Sequence, residues 1–389
     1  MQPSIHEAAV PVSRYTVLDA IATGHPPLTR SQAYAAEFMQ RVTSLPAPIR
    51  TRIPAIYERS GIEQRHSCVM DYGEADAADF TFYPPDWSLQ PAPTTGQRNA
   101  LYREAAVPLA EQVARDALAQ AGRTMDEVTH VVAVTCTGFF APGLDIELVK
   151  RLGLKPNTQR TVIGFMGCYA AFNGLRVANS FCQSDPNAVV LMVCVELCTL
   201  HFQVSETLEQ AVINAIFSDG AAAAVLSSRA ADAAEGHLAY TASHCLLDED
   251  SMGHMTWAIG DHGFDMGLSP RVPGVLAQQL PTYLDGLLTP HGLTNEDLDF
   301  WAIHPGGRAI VDKAQAVLNL SDDQLRHSLG VLRDHGNMSS PTILFVLERF
   351  LSEHKARQDA GEAGFKNGMA MAFGPGLTLE GCLWQRVKT

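Results

Sequence analysis

The sequence predicts an α/β fold in which helices cover buried sheets. Short runs of β-branched and other apolar residues alternate along the chain with segments whose apolar residues recur at helical spacing. The runs are apolar on consecutive positions, which is typical of strands buried on both faces. Alternating strands and helices of this kind favour a layered architecture.

In the first half of the chain, residues 41–98 are rich in Pro, Arg and aromatic residues and include an extended segment. The predicted elements are, in order, a loop over Thr81–Gln97, a helix over Tyr102–Ala121 that stops at Gly122, strands over Val128–Thr137 and Thr161–Met166, a helix over Cys168–Cys182, and strands over Ala188–Val195 and Ala221–Leu226.

The second half repeats this style. The predicted elements are a strand over Phe300–His304, helices over Ala309–Leu318 and Pro341–Ser352, and strands over Gly368–Phe373 and Leu377–Arg386. The pattern indicates two similar halves, residues 1–235 and 236–389, joined by a linker at Ala230–Gly236.

Composition excludes several classes of protein. Of 389 residues, 46% are hydrophobic and 18% charged, which is typical of a globular protein. With 28 Lys and Arg against 42 Asp and Glu, the net charge of −14 disfavours nucleic-acid binding. No apolar run is long enough to insert stably in a membrane, and Met1–Arg14 lacks the features of a signal peptide. We therefore expect a cytoplasmic protein whose eight cysteines are thiols.

Cys168 is the most suggestive position for chemistry. It follows Gly167 between an apolar run and a predicted helix, and small residues come directly after it. A thiol at a helix N-terminus is favoured as thiolate by the helix dipole, and the glycine permits a tight turn like that of a nucleophile elbow. The alternative is a buried structural cysteine, which is the commoner outcome for cysteines in general.

Two further polar residues lie beside turns. His304 ends a predicted strand before Pro-Gly-Gly, where α/β folds place functional side chains, although it is equally consistent with a structural histidine. Asn337 precedes a predicted helix and is suited either to donate to an oxyanion or to cap that helix. Similarly, Gly374-Pro375-Gly376 fits a turn that lines a site or a plain turn between strands.

Metal and nucleotide chemistry are disfavoured. Cys194 and Cys198 lack a second pair at zinc-like spacing, so we expect no metal site. The sequence contains no P-loop, no GxGxxG and no GxSxG motif.

Taken together, five segments resemble the type III polyketide synthases, the chalcone-synthase-like branch of the thiolase superfamily. They occur in the family's order and are Gly167-Cys168, Phe217–Ala222 (FSDGAA), Trp301–Gly307 (WAIHPGG), Gly336–Ser340 (GNMSS) and Phe373–Thr378 (FGPGLT). The resemblance implies a thiolase-like αβαβα layered fold built from two similar halves, and a homodimer.

The resemblance also implies roles. Cys168 would be the acyl-accepting nucleophile and His304 its ion-pair partner, while His304 and Asn337 would donate to the thioester carbonyl. Phe217 would be a gatekeeper between the acyl site and the coenzyme A tunnel, with Met266 where plant-type enzymes carry a second Phe. The implied reaction is a ping-pong condensation: a starter acyl group moves from coenzyme A to the cysteine, and malonyl-CoA is decarboxylated and attacks it.

Coenzyme A thioesters would be the substrates, and no cofactor is expected. Arg52 and Arg59 fall where the family has basic residues that contact coenzyme A phosphates, and Gly306 and Gly307 are the other expected coenzyme A contacts. The remaining expected substrate-binding positions line the cavity: Cys136, Thr137, Cys198, Leu200, His201, Trp257, Ser339, Gly374 and Pro375. Trp257 stands where plant-type enzymes have a small residue and would redirect chain growth.

The segments around Cys168 and Met266 look most similar to bacterial alkylresorcinol and alkylpyrone synthases, which accept long fatty acyl starters. Cys136 also matches tetrahydroxynaphthalene synthase, which uses malonyl units alone, although a small packing residue explains it as well. Two alternatives stay open at this point: a condensing enzyme like ketoacyl-carrier-protein synthase III, and a non-catalytic acyl-binding scaffold of the same fold.

Overall fold

The computed structural model describes residues 14–388. Nearly all of Met1–Arg14, the segment for which no signal peptide is predicted, therefore lies outside the described residues. Within them the strands are β1 (Arg14–Gly24), β2 (Leu28–Ser31), β3 (Gln64–Ser67), β4 (His130–Thr135), β5 (Gln159–Gly164), β6 (Val189–Leu197), β7 (Asp219–Ala230), β8 (Leu238–Leu247), β9 (Met255–Gly260), β10 (Gly263–Leu268), β11 (Phe300–Ile303), β12 (Asn367–Gly374) and β13 (Thr378–Arg386).

Twelve α-helices connect these strands over the same residues. They are α1 (Gln32–Arg41), α2 (Ala47–Arg50), α3 (Ile53–Glu58), α4 (Thr95–Gln120), α5 (Leu144–Leu152), α6 (Ala170–Ser184), α7 (Leu208–Ile216), α8 (Ala231–Ala234), α9 (Val272–Leu288), α10 (Arg308–Leu318), α11 (Asp322–His335) and α12 (Thr342–Asp359).

Nine strands form one sheet in the order β11-β12-β13-β8-β1-β7-β6-β4-β5. The strands before residue 235 make one portion of this sheet and those after residue 236 make the other. The two portions meet at β1 and β8, which pair over only two positions, Thr16 with Tyr240 and Val17 with Ala239. The division into two domains at residue 235 stays a prediction.

Three large apolar clusters separate the layers. The middle cluster contains α6 and α12 together with inward-facing residues from both portions of the sheet, such as Val134 and Ala370. A second cluster packs α1 and α4 on the outer face of the first portion. A third packs α9, α10 and α11 on the outer face of the second. The order is therefore helix, sheet, helix, sheet, helix, and the predicted layered α/β fold is confirmed.

The predicted elements are present with shifted ends. Helix α4 begins at Thr95 and not at Tyr102, because the Thr94 hydroxyl and the Gln97 side chain form a capping box. Strand β5 ends at Gly164 because Phe165, with a φ of 59°, turns the chain. The predicted linker at Ala230–Gly236 contains the short helix α8.

Candidate active site

Cys168 lies in the turn between β5 and α6, two residues before the helix begins. Gly167 adopts a φ of +82°, which an L side chain resists, and a Cβ built there would lie 2.5 Å from the Pro375 ring. The backbone N–H of Gly167 donates to Cys136 Sγ at 3.2 Å. Glycine is therefore required by both conformation and space, as the elbow interpretation predicts.

Asn337 approaches the sulfur from the turn before α12. Its Nδ2 lies 3.9 Å from Cys168 Sγ and donates to Gly306 O at 3.1 Å. Its Oδ1 accepts from the Ser339 N–H at 2.8 Å, so the carboxamide is held with its donors toward the sulfur. Asn337 is not the N-cap of α12, which is Pro341.

His304 follows β11, with its backbone N–H donating to Met371 O at 2.8 Å. Its side chain is 1% exposed, and neither ring nitrogen has a hydrogen-bond partner within the described residues. The ring borders Gly306, where a built Cβ would lie 3.5 Å from Nε2. Both ring nitrogens are therefore available to a hydrogen-bond partner from outside the described residues.

Burial shifts the pKa of Cys168 and that of His304 in opposite directions. Burial raises the pKa of the Cys168 thiol to about 11, although hydrogen bonds from Ser339 and Asn337 lower it in part. Burial also lowers the pKa of His304 to about 3. Desolvation disfavours the charged form of each group, which favours a neutral thiol and a neutral imidazole, and the ion pair stays a prediction.

Cys168 opens onto a cavity with about 1170 Å³ of empty space, a volume that includes open solvent at its mouth. Nine of the other residues predicted from the sequence lie on its wall: Cys136, Thr137, Cys198, His201, Phe217, Trp257, Met266, Ser339 and Pro375.

Other predicted residues, Asn337 and His304 among them, are not on the part of the wall that lines the cavity. Leu200 is fully buried in the apolar cluster around α4, because it points into the core from a turn whose neighbours face the cavity. Gly374 lies behind the wall, where a Cβ would be 2.5 Å from the Tyr169 ring. Arg52 and Arg59 are exposed at the two ends of α3, and Gly306 and Gly307 precede α10.

Trp257 is fixed on the cavity wall. Its Nε1 donates to Cys136 O at 2.9 Å, and its ring meets that of His201 edge-on at 5.5 Å. Met266 pairs with Trp257 across β9 and β10. His201 Nδ1 accepts from the Phe264 N–H and Nε2 donates to Thr137 O, which holds a neutral ring whose pKa burial lowers to about 4.

Sequence reasoning missed one whole wall. It is formed by β2, β3 and α1 and includes Leu28, Arg30, Tyr34, Ala35, Phe38, Met39, Arg65 and His66. The i, i+3, i+4 spacing of Ala35, Phe38 and Met39 was the available signal, since it marks an apolar helix face. It does not distinguish a face that packs on a core from one that lines a cavity.

A buried carboxylate behind the wall was also missed. Glu196 accepts hydrogen bonds from Ser340 Oγ at 2.6 Å, and from Cys136 N and Thr137 Oγ1 at 2.8 Å each. Burial raises the pKa of Glu196 to about 7, although these hydrogen bonds lower it in part. It therefore joins the cavity wall to the segment after Asn337.

Comparison with known proteins places the chain in a family. Residues 6–230 match the model for the N-terminal domain of chalcone and stilbene synthases, and residues 239–388 match the model for their C-terminal domain. The chain belongs to this family, the type III polyketide synthases. It is an acyltransferase-type condensing enzyme, so the scaffold alternative is not supported.

Individual members of this family are similar over almost the whole chain. The alpha-pyrone synthesis polyketide synthase-like Pks18 of Mycobacterium tuberculosis is 33% identical over 380 residues, which are 97% of this chain and 93% of that protein. The 3,5-dihydroxyphenylacetyl-CoA synthase of Streptomyces toyocaensis is 31% identical over 86% of this chain and 82% of its own length. The crystal structure of PKS-I from the brown alga Ectocarpus siliculosus superposes with a TM-score of 0.92 at 38% identity, covering 96% of this chain and 99% of that one.

No helix of residues 14–388 is long and apolar enough to cross a membrane. In the same part of the chain, no group of three or more His, Cys, Asp or Glu side chains is arranged to hold a metal ion.

Proposed function

We propose that this type III polyketide synthase condenses malonyl-CoA with a long fatty acyl-CoA starter held on Cys168, and that the product cyclises to an alkylpyrone or alkylresorcinol. The observation that carries the proposal is the Asn337 carboxamide 3.9 Å from the Cys168 sulfur, which itself lies on the wall of an apolar cavity. The similarity to Pks18 supports an alkylpyrone among the possible products.

Starter loading follows from the neutral pair. As Cys168 Sγ attacks the thioester carbonyl, its proton moves to a free nitrogen of His304. When the bond to the coenzyme A sulfur breaks, His304 passes that proton on and coenzyme A leaves as its thiol. A neutral imidazole suits this step because one nitrogen has a lone pair to accept that proton. Asn337 Nδ2 donates to the carbonyl oxygen as negative charge develops there.

Asn337 and His304 also act in the decarboxylation of the extender, malonyl-CoA. Malonyl-CoA would place its thioester carbonyl against Asn337 and the N–H of His304, so that loss of carbon dioxide leaves an enolate stabilised by two hydrogen bonds. The enolate carbon then attacks the acyl carbonyl on Cys168, the bond from that carbonyl to Sγ breaks, and the departing sulfur takes up a proton from solvent to restore the thiol. This chemistry needs neither a metal nor a redox cofactor.

Room for a long acyl chain comes from the wall that the sequence did not reveal. Leu28, Ala35, Phe38 and Met39 extend the cavity away from the sulfur with apolar surface. Each methylene buried there stabilises binding by about 0.8 kcal/mol, so ten carbons contribute about 8 kcal/mol before entropy losses. Arg52 and Arg59 are suited to bind coenzyme A phosphates, since they flank the helix whose Tyr57 lines the cavity.

We also propose a homodimer formed along β5. This strand ends the nine-stranded sheet, and its Val162 is 51% exposed. Phe139, which packs beside Gly164 at the end of the strand, is 38% exposed. An apolar edge strand favours pairing with a second copy. Light scattering after gel filtration should give twice 42.1 kDa for the native protein and a lower mass for Val162→Lys.

The proposed reaction is tested with purified protein and a panel of acyl-CoA starters plus malonyl-CoA, without carrier protein. We expect pyrones or resorcinols by mass spectrometry with long-chain starters, and Cys168→Ala should load no acyl group while keeping the native circular dichroism spectrum. Asn337→Ala should slow both starter loading and condensation by about 10²–10³-fold, the loss typical of an oxyanion donor.

The alternatives predict different results from the same panel. Products from malonyl-CoA alone would favour the tetrahydroxynaphthalene-type reaction, and a strict need for carrier protein would favour a ketoacyl synthase III-like reaction. Condensation by Cys168→Ala would exclude the mechanism. Cys136 is a poor second nucleophile, because its sulfur accepts the Gly167 N–H and burial raises the pKa of its thiol well above the usual range.

A further inference from the structure

Two arginines stand side by side on the wall of the cavity that holds Cys168. Strands β2 and β3 pair antiparallel with Arg30 directly opposite Arg65, and both side chains line the cavity. Directly opposed residues of paired strands project to the same face, where like charges repel. The strand pairing therefore brings two cationic side chains onto one face of β2 and β3, and both line the same cavity.

The protein supplies no anion to this pair within the described residues. Neither arginine makes an ion pair there. No Asp or Glu is among the residues that line the cavity in this part of the chain. The two histidines on the wall do not change the charge of the cavity, because burial lowers the pKa of His66 to about 3 and that of His201 to about 4.

Each guanidinium also has unused hydrogen-bond donors. Arg30 donates from its two Nη atoms to the carbonyls of Thr29 and Gly73, at 3.0 and 3.1 Å. Arg65 donates from Nη2 to Phe217 O, and its Nε is buried without a partner. A guanidinium carries five N–H donors in a fixed plane that matches a carboxylate. The two groups thus present a charged, partly unsatisfied donor set to the cavity.

The position of the pair fits the path of a substrate toward the reacting sulfur. Arg65 holds the carbonyl of Phe217, and the next residue, Ser218, donates its N–H to Asn337 O at 2.8 Å. The guanidinium of Arg65 stands 5.9 Å above the ring of Tyr57, on the helix flanked by Arg52 and Arg59. Arg65 therefore contacts both the helix flanked by the exposed arginines and the strand segment that bonds to Asn337.

We propose that Arg30 and Arg65 form a carboxylate-binding site that receives the carboxylate of malonyl-CoA and so selects the extender thioester over neutral acyl thioesters. This proposal rests on the proposed function, in which malonyl-CoA is the extender. A coenzyme A phosphate offers similar oxyanion chemistry, but it is common to every thioester substrate. The malonyl carboxylate is the anion that distinguishes the extender from a fatty acyl starter.

The test separates these two sources through the Michaelis constant for malonyl-CoA and the rate of starter loading on Cys168, which is followed by mass spectrometry. Arg30→Gln is the primary variant because Arg30 makes no contact with Phe217. We expect the KM for malonyl-CoA to rise about tenfold, the loss expected for a charge-assisted hydrogen bond, while starter loading stays within about twofold. Arg30→Lys should recover part of the loss.

Two further variants complete the design. Arg41→Gln on α1 removes the same charge outside the cavity wall, where Arg41 bonds the exposed carbonyl of Ala75, and should leave the KM unchanged. Arg65→Lys keeps the charge beside Phe217 and should raise the KM less than Arg65→Gln.

An unchanged KM in Arg30→Gln would overturn the proposal. So would an equal loss in starter loading, because that result places the pair on the phosphates that all the thioesters share. A wild-type protein that neither loads starter nor condenses would instead refute the proposed function. The wild-type protein is therefore assayed before any arginine is changed.

Discussion

The buried carboxylate of Glu196 provides a quantitative test of the site's electrostatics. Glu196→Gln keeps the shape of the side chain but removes its titration. The carbonyl of Gln can still accept from Cys136 N and Thr137 Oγ1, and its NH₂ can donate to Ser340 Oγ after rotation of that hydroxyl. We therefore expect a folded variant whose stability relative to wild type depends on pH.

The size and sign follow from the pKa. Burial raises the pKa of Glu196 from the usual 4.5 to about 7, so the folded protein binds this proton more tightly than the unfolded chain. The stabilisation by protonated Glu196 is full below pH 4.5 and is lost as the pH rises through 7. At about 1.36 kcal/mol for each unit of pKa, the swing is about 3 kcal/mol. The variant lacks this swing.

The assay is urea unfolding followed by tryptophan fluorescence at pH 5 and at pH 8.5. The free energy of unfolding of Glu196→Gln minus that of wild type should increase by about 2–3 kcal/mol from the lower to the higher pH. A difference that is constant with pH would refute the reasoning, because it would mean that Glu196 titrates alike in both states. An increase at low pH instead would mean that its charged form is stabilised in the folded protein.

Three further outcomes are expected. Glu353→Gln should show the opposite pH dependence. Burial would raise the pKa of Glu353, but hydrogen bonds from His327, Arg357 and Arg326 outweigh burial and lower the pKa to about 2. The variant should therefore lose about 1–3 kcal/mol of unfolding free energy at pH 7 and nothing near pH 2. Gly167→Ala should reduce starter loading about 10²-fold or more, because the Cβ would displace the turn that carries Cys168, and a loading rate within twofold of wild type would contradict this. Trp257→Gly should open the cavity beside Cys136 and His201 and shift the products toward more malonyl additions, which mass spectrometry of the product mixture measures; an unchanged product set would mean that this ring does not limit growth.

The catalytic candidates could be predicted from sequence because short-range constraints mark them. Gly167 is needed by a left-handed turn, and His304 stands at a strand end before two glycines, so each leaves a local pattern. The approach of Asn337 to Cys168 did not follow from those patterns. The family resemblance of five segments implied it, and in the structure Asn337 Nδ2 lies 3.9 Å from Cys168 Sγ.

The rest of the cavity could not be predicted because it depends on long-range packing. Whether α1 turns Phe38 and Met39 toward a core or a chamber is decided by β2 and β3, which are four residues long and carry little pattern of their own. The same limit explains why Leu200 was expected on the wall. It lies between Thr199 and His201, which do line the cavity, and only the fold determines which residue of a turn faces inward.

Charge is distributed in the cavity as the proposed chemistry requires. Asn337, 3.9 Å from the sulfur, is a neutral donor, and burial favours the neutral form of His304, while Arg65 of the cationic pair bonds the carbonyl of Phe217. A cation beside the sulfur would stabilise the malonyl carboxylate at least as much as the enolate formed from it, and so would not lower the barrier to loss of carbon dioxide. Neutral donors fixed by the Ser339 N–H and Gly306 O favour the charge that develops on the carbonyl oxygen and hold the carboxylate only weakly. Under the two proposals, the arginine pair therefore contributes to the binding of malonyl-CoA, whereas the neutral donors lower the barrier to loss of carbon dioxide.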